Sequence, residues 1–247
     1  MHRLLPLLVL LALPTVAPAQ NRFPPDSLVN IKVLPHTLRP REVIDLMRGY
    51  TSALGVRCPF CHVGEEGKPL NTFDFASDDR RNKQVAREMI RMVQNINTET
   101  LARLPERPDS SVRVTCQTCH RGLSRPVPLE QIVVQTVRSS GVDSASRAYK
   151  TLRERYYGSD AYDFSERTLV RAAMTLSQAR EFDPALALLA LDNEFYPKGA
   201  ELMIATGDVQ RVRGDSAAAI RSYREALNRV PQHQAAVQRL NQLGQQP

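Results

Sequence analysis

The sequence predicts an all-α protein: helices arranged around two Cys-x-x-Cys-His phrases, then a run of helical repeats. Three observations carry this. VRCPFCHVG at 56–64 and VTCQTCHRG at 114–122 are nearly the same phrase. The apolar residues ahead of each recur at helical spacing, with almost no strand alternation. Further on, Pro197 and Pro231 close two similar helical phrases 34 residues apart.

The chain opens MHRLLPLLVLLALPTVAPAQ. A short basic start, an apolar stretch too short to span a bilayer and the small residues of Ala17-Pro18-Ala19 predict a cleaved secretory signal over residues 1–19. The alternative is an uncleaved anchor. No Cys stands at the cleavage point, which argues against a lipoprotein. No later stretch is apolar enough to cross a membrane, so the expectation is an exported, periplasmic protein, soluble once the leader is removed. The net charge of +7 is unevenly spread, and the basic excess lies almost wholly in residues 20–139. No nucleic-acid motif accompanies it.

The first element expected is a helix over RPREVIDLMRGYTSALG. Pro40 suits a first turn and Gly55 an end. Val43, Met47, Tyr50 and Leu54 share one face. The first CxxCH follows at Cys58, Cys61 and His62. A second helix is expected over SDDRRNKQVAREMIRMVQNIN, with Ser77 as N-cap and Asp78 and Asp79 in the first turn. Val85, Met89, Met92 and Ile96 form its apolar face. The second CxxCH follows at Cys116, Cys119 and His120.

All four Cys of the chain lie in these two phrases. Two disulfides would need no adjacent His. A zinc ribbon would leave the His surplus, and a redox CxxC would follow a strand. Covalent haem attachment uses every residue. Two thiols one helical turn apart add to the two vinyl groups on one edge of the macrocycle, and the next residue offers its imidazole to the iron. The expectation is two haem c groups, one on Cys58, Cys61 and His62 and one on Cys116, Cys119 and His120. Their propionates would offset part of the basic excess, with Arg57, Arg113 and Arg121 as candidate partners. A Met opposite each His would give an electron-transfer centre, whereas an open side would allow ligand binding or peroxide chemistry. Spacing alone leaves Met89 and Met92 as equal candidates on one helix face.

The run from LMRGYTSALGVRCPFCH through VAREMIRMVQNIN to VTCQTCHRG resembles one half of the tetrahaem cytochrome subunit of photosynthetic reaction centres. The resemblance covers roughly residues 28–126. It implies that Met47 ligates the iron held by His62, and that Met89 rather than Met92 ligates the iron held by His120. The wire of four haems would here be two, and a C-terminal region is present that the photosynthetic subunit lacks. Fold and ligation are therefore implied, but photosynthesis is not.

After SRPVP at 124–128 the pattern is wholly helical. EFDPALALLALDNEFYPKG and RGDSAAAIRSYREALNRVPQH read as tetratricopeptide-like units. Ala185, Leu188 and Leu189, and Ala217, Ile220, Tyr223 and Ala226, are the expected interlocking positions. Residues 142–180 are a candidate further unit, with Asp160 and Asp163 in a turn. The domains expected are thus a signal peptide at 1–19, a dihaem cytochrome domain at 20–127 and a helical-repeat domain at 128–247. No cluster suggests catalysis, so the expectation is an electron carrier and not an enzyme. Its expected partners are redox proteins and a protein docked on the repeats, with no nucleic acid and no membrane span. The rivals are a peroxidase-like enzyme with one open haem, and a haem-bearing binding scaffold.

Overall fold

The computed structural model describes residues 22–105 and 112–246; the leader expected at 1–19 lies outside them. Among the described residues every regular element is helical, and the one extended pairing is an isolated antiparallel bridge between Val63 and Asp74. The chain divides into two units. The first takes residues up to Ser52 and Val56–Thr115, the second Ala53–Gly55 and Cys116 onward.

In the first unit, helix α1 spans Pro40–Leu54 and helix α2 spans Arg81–Asn95. α1 starts at Pro40 because proline's fixed φ suits a first helical position. Three residues after Arg39, the Glu42 carboxylate turns back to accept the Arg39 N–H at 2.7 Å, satisfying a donor the helix leaves open. At its end Gly55 takes φ +64°, where a side chain is disfavoured.

α2 begins four residues later than its expected cap. Ser77 does not cap it; its hydroxyl accepts from the Asp79 N–H at 3.1 Å, closing a turn ahead of the helix. Asp78 is not in the first turn either. Its carboxylate meets Lys32 at 2.7 Å, Arg87 at 2.8 Å and Lys83 at 3.2 Å, and it accepts from the Asn30 amide at 2.8 Å. Hydrogen bonds from Arg87 and Lys32 hold its pKa well below the usual carboxylate range. A surplus of nearby cations outcompeted the local cap. α2 runs on into a π turn, Ile96–Thr100, and a 3-10 turn, Leu101–Arg103. Val43, Leu34 and Phe73 are the unit's buried apolar residues among those described.

The second unit holds α3 (Cys116–His120), α4 (Leu129–Ser140), α5 (Val142–Tyr156), α6 (Glu166–Gln178), α7 (Phe182–Phe195), α8 (Ala200–Arg213), α9 (Ser216–Arg229) and α10 (Gln234–Gln242). α4 pairs with α5, α6 with α7 and α8 with α9. The leading helices α4, α6 and α8 stack in sequence, α5 meets α7, and α10 packs on α9. The unit expected over 142–180 is therefore paired differently: α5 packs back on α4, and the pattern starts at Leu129. Positions 34 apart carry the interlock. Ala173 and Gly207, Ala185 and Ala219, and Leu189 and Tyr223 each sit at a helix–helix contact, and all but Gly207 belong to the buried apolar core. A Cβ on Gly207 would stand 2.4 Å from the Tyr223 ring. Ala217 is exposed instead, and Ala218 and Ala219 are buried in its place. Asp160 and Asp163 lie in the α5–α6 loop as expected, where Asp163 accepts the Ser165 N–H at 2.9 Å.

Candidate haem-attachment site

Each CxxCH phrase forms its own helical turn. At the first, Pro59 starts a 3-10 turn, Cys58–Phe60, and both the Cys61 and His62 N–H groups reach the Cys58 carbonyl, at 3.2 and 3.0 Å. That wind puts Cys58 and Cys61 on one side and brings His62 next. Both thiols are half-buried and free. Burial, then the neighbouring Cys58, pushes the Cys61 thiol pKa up. The Asn82 amide at the start of α2 donates to the Phe60 carbonyl at 3.0 Å, fastening the turn to that helix.

The chain then loops through 63–75 and returns to His62. Gly64 leaves room for the Phe73 ring, which a Cβ would meet at 2.3 Å. Phe73 stacks on Phe75, and Phe75 meets the His62 ring edge-on at 5.0 Å between centroids. Lys83 on α2 holds this loop by donating to the carbonyls of Phe75, Ala76 and Ser77 at 2.9, 3.1 and 2.7 Å. Burial, and then the Lys83 charge, pull the His62 pKa down to about 4, so the imidazole is neutral and has a lone pair to give a metal. Its Nδ1 is buried with no acceptor in hydrogen-bond geometry. The Phe75 backbone stands near enough only to offset part of the downward pull.

The second phrase is built differently. The Asn97 side chain donates to the carbonyls of Val93 and Val114 and accepts the Val114 N–H, tying the approach segment to α2. α3 is the CQTCH turn itself. Arg121 and Gly122 then take positive φ, at 50° and 84°, and reverse the chain. The reversal aims the Leu123 carbonyl back at His120, whose Nδ1 lies 2.7 Å away. A carbonyl only accepts, so Nδ1 carries the proton and the Nε2 lone pair is left for a metal. The Gly122 N–H donates to the Ala53 carbonyl at 2.8 Å, and Gly55 packs on Gly122, where a Cβ would lie 2.1 Å from the Gly122 oxygen. Ala53 and Gly55, which belong to the second unit, thus brace the turn after the second phrase. Two glycines, one after each helix, were the only sequence trace of this brace.

The structure brings Cys58, Cys61 and His62 together, and likewise Cys116, Cys119 and His120. Met47 lies half-buried on α1 and Met89 lies on α2, 37% exposed, with Val85 and Met92 also exposed on its apolar face. Of the arginines expected beside propionates, Arg57 pairs with Glu66 at 3.4 Å on the surface. Among the described residues no three His, Cys, Asp or Glu side chains are grouped to hold a metal ion. The residues fit haem c: two thiols one turn apart, an imidazole with its tautomer set at His120, and an open apolar face on α2. The site would supply covalent anchorage and one axial ligand per group, and bound iron would supply one-electron chemistry.

Comparison with known proteins agrees. The profile of a family described as the photosynthetic reaction centre cytochrome C subunit matches residues 15–169. Cytochrome c-554 of Chloroflexus aurantiacus is 35% identical over 112 residues, covering 45% of this chain and 24% of that protein. The photosynthetic reaction center cytochrome c subunit of Rubrivivax gelatinosus is 34% identical over 103 residues, covering 41% of this chain and 24% of that protein. The matches thus span about a quarter of the length of these relatives.

Proposed function

The chain belongs to the photosynthetic reaction centre cytochrome C subunit family, and from that premise we propose that it is an exported dihaem cytochrome c that relays electrons. Covalently bound haem c follows from the family. The count of two follows from two complete CxxCH turns. Cys58 and Cys61 anchor one group and Cys116 and Cys119 the other, with His62 and His120 on the irons. The family pattern assigns Met47 opposite His62 and Met89 opposite His120. A thioether favours ferrous iron and closes the sixth position, which suits fast electron exchange. No described helix is long and apolar enough to cross a membrane. We assign the cytochrome domain to 20–127 and a tetratricopeptide-like docking module to 128–247, whose stacked pairs offer a surface for a protein partner.

The observation that carries the reading is the His120 Nδ1 bond to Leu123. It leaves Nε2 alone to ligate, directly after two thiols that can only anchor on one edge. Denatured mass of the matured protein tests it: the chain should exceed its polypeptide by two haems and carry no free thiol. Zinc without iron would refute it. A ferrous protein that binds carbon monoxide stoichiometrically would replace the relay with a peroxidase-like catalyst.

A further inference from the structure

We propose that the two attachment turns hold haems of unequal potential, the one on His62 accepting an electron before the one on His120. This rests on the dihaem reading above. The two imidazoles differ at the nitrogen that does not face the iron. At His120, Nδ1–H donates to the Leu123 carbonyl at 2.7 Å. That bond pushes electron density toward Nε2, makes the ligand more basic, and favours ferric iron. At His62 the Nδ1 is buried with no acceptor in hydrogen-bond geometry, and the Phe75 backbone offsets only part of the pull of burial and of Lys83 on the ring. Its Nε2 is the weaker donor, and ferric iron there is less well stabilised.

Charge acts in the same direction. The His62 ring packs on Phe75, whose carbonyl accepts from the Lys83 ammonium at 2.9 Å. Lys83 belongs to the cluster in which Asp78 faces Lys32, Lys83 and Arg87. One carboxylate against three cations leaves the cluster positive. A positive neighbour penalises the oxidised iron, which carries one more positive charge than the reduced. Arg87 and Lys83 are also nearly buried, with side chains 7% and 11% exposed, so water screens them weakly. Solvent acts oppositely at the other site, where Cys116 is half-buried like Cys58 and Cys61 but Cys119 is exposed. Water near a haem stabilises its ferric form. The step is one electron from an added one-electron reductant to ferric iron, with no bond made or broken and no proton moved.

The test is a spectroelectrochemical titration of the full-length holoprotein beside two single-haem variants. Cys58→Ser with Cys61→Ser keeps only the haem on His120, and Cys116→Ser with Cys119→Ser keeps only that on His62. At the potential that half-reduces the His62 haem, the His120 haem should be at most about one-tenth reduced, a tenfold difference worth roughly 59 mV for one electron. Equal potentials, or the reverse order, would overturn the proposal. If the variants fail to mature, the unaltered protein still answers. Ring protons of His62, recognised by their contact with the Phe75 ring, should lose their paramagnetic shift first on stepwise reduction. If the His120 ring protons lose it first, or both together, the proposal fails. A holoprotein whose mass shows a single haem removes the dihaem reading itself, and the mass spectrum separates that failure from a wrong order of potentials.

Discussion

The two units are held together by different means. In the second, apolar side chains carry the packing. One cluster joins Leu129, Val133, Tyr149, Leu169, Leu176 and Leu188, among others, and a second gathers Ile204, Tyr223, Ala226 and Leu240. The first has no comparable cluster among its described residues. Its few buried apolar groups are supplemented by polar ties: Asp78 to its three cations, Lys83 to three carbonyls, Asn97 to Val93 and Val114. Such ties orient a chain well but contribute little net free energy each, about 0.5–1.5 kcal/mol per hydrogen bond. The difference teaches that the second unit carries its own apolar core, whereas the first, on the proposed haem reading, would draw apolar burial from the group anchored on Cys58 and Cys61.

The largest effect should therefore come from blocking haem attachment. With all four Cys changed to Ser, residues 22–105 should lose protection from hydrogen exchange, and α4 to α10 should keep theirs. Equal protection in both units would break the comparison. As its counterpart, a fragment of residues 129–246 should give a helical circular dichroism spectrum, unfold cooperatively and bind no haem. A fragment starting at 142 should lose the cooperative unfolding, because it lacks the buried Leu129, Val133 and Val137 of α4.

A single large-to-small change in the second unit should cost more than one in the first. Leu188→Ala, at a fully buried site, should lower stability by about 2–5 kcal/mol in denaturant titration. Met92→Ala, 45% exposed on α2, should cost less than about 1 kcal/mol and leave the haem spectra intact.

Asp192 is a buried carboxylate inside the apolar unit. It is fully buried, neither oxygen has a hydrogen-bond partner, and it stands 34 residues before the buried Ala226. Burial, then the charge of Glu166, raise its pKa to about 8, against a partly opposing Arg153. Since the folded value exceeds the unfolded one, its contribution is fully present below the ordinary carboxylate pKa. It is lost as pH rises from about 4 through about 8. The melting temperature should fall across that range, and Asp192→Ala should flatten the profile and stabilise the protein by roughly 2 kcal/mol at pH 8. An unchanged slope would show that Asp192 is not the group responsible.

An effect larger than that of Met92→Ala is expected where Ala53 and Gly55 brace the second turn. Gly55→Ala places a side chain at φ +64° against the Gly122 oxygen. It should cost about 1–3 kcal/mol and shift the spectrum of the His120 haem more than that of the His62 haem.

By itself the sequence determined whatever is set within a few residues. Pro40 and Gly55 bounded α1, the CxxCH spacing made each short turn, and the 34-residue recurrence marked α7 and α9. These follow from steric and helical periods that act along the chain. Only the tertiary structure decided the rest. Ser77 lost its capping role because Lys32, Lys83 and Arg87, two of them from α2, converge on Asp78. α5 packs on α4, leaving α6 to α7, because α4 carries the buried face α5 needs. Ala219, not Ala217, faces inward, since helical phase is settled by the neighbouring helix. The two histidines, identical in sequence context as CxxCH, part company at Nδ1: the Leu123 carbonyl stands 2.7 Å from one, and the other has no acceptor in hydrogen-bond geometry. The fate of that nitrogen depends on how the chain turns after the motif, through positive φ at Arg121 and Gly122 in one case and a long loop to Phe75 in the other.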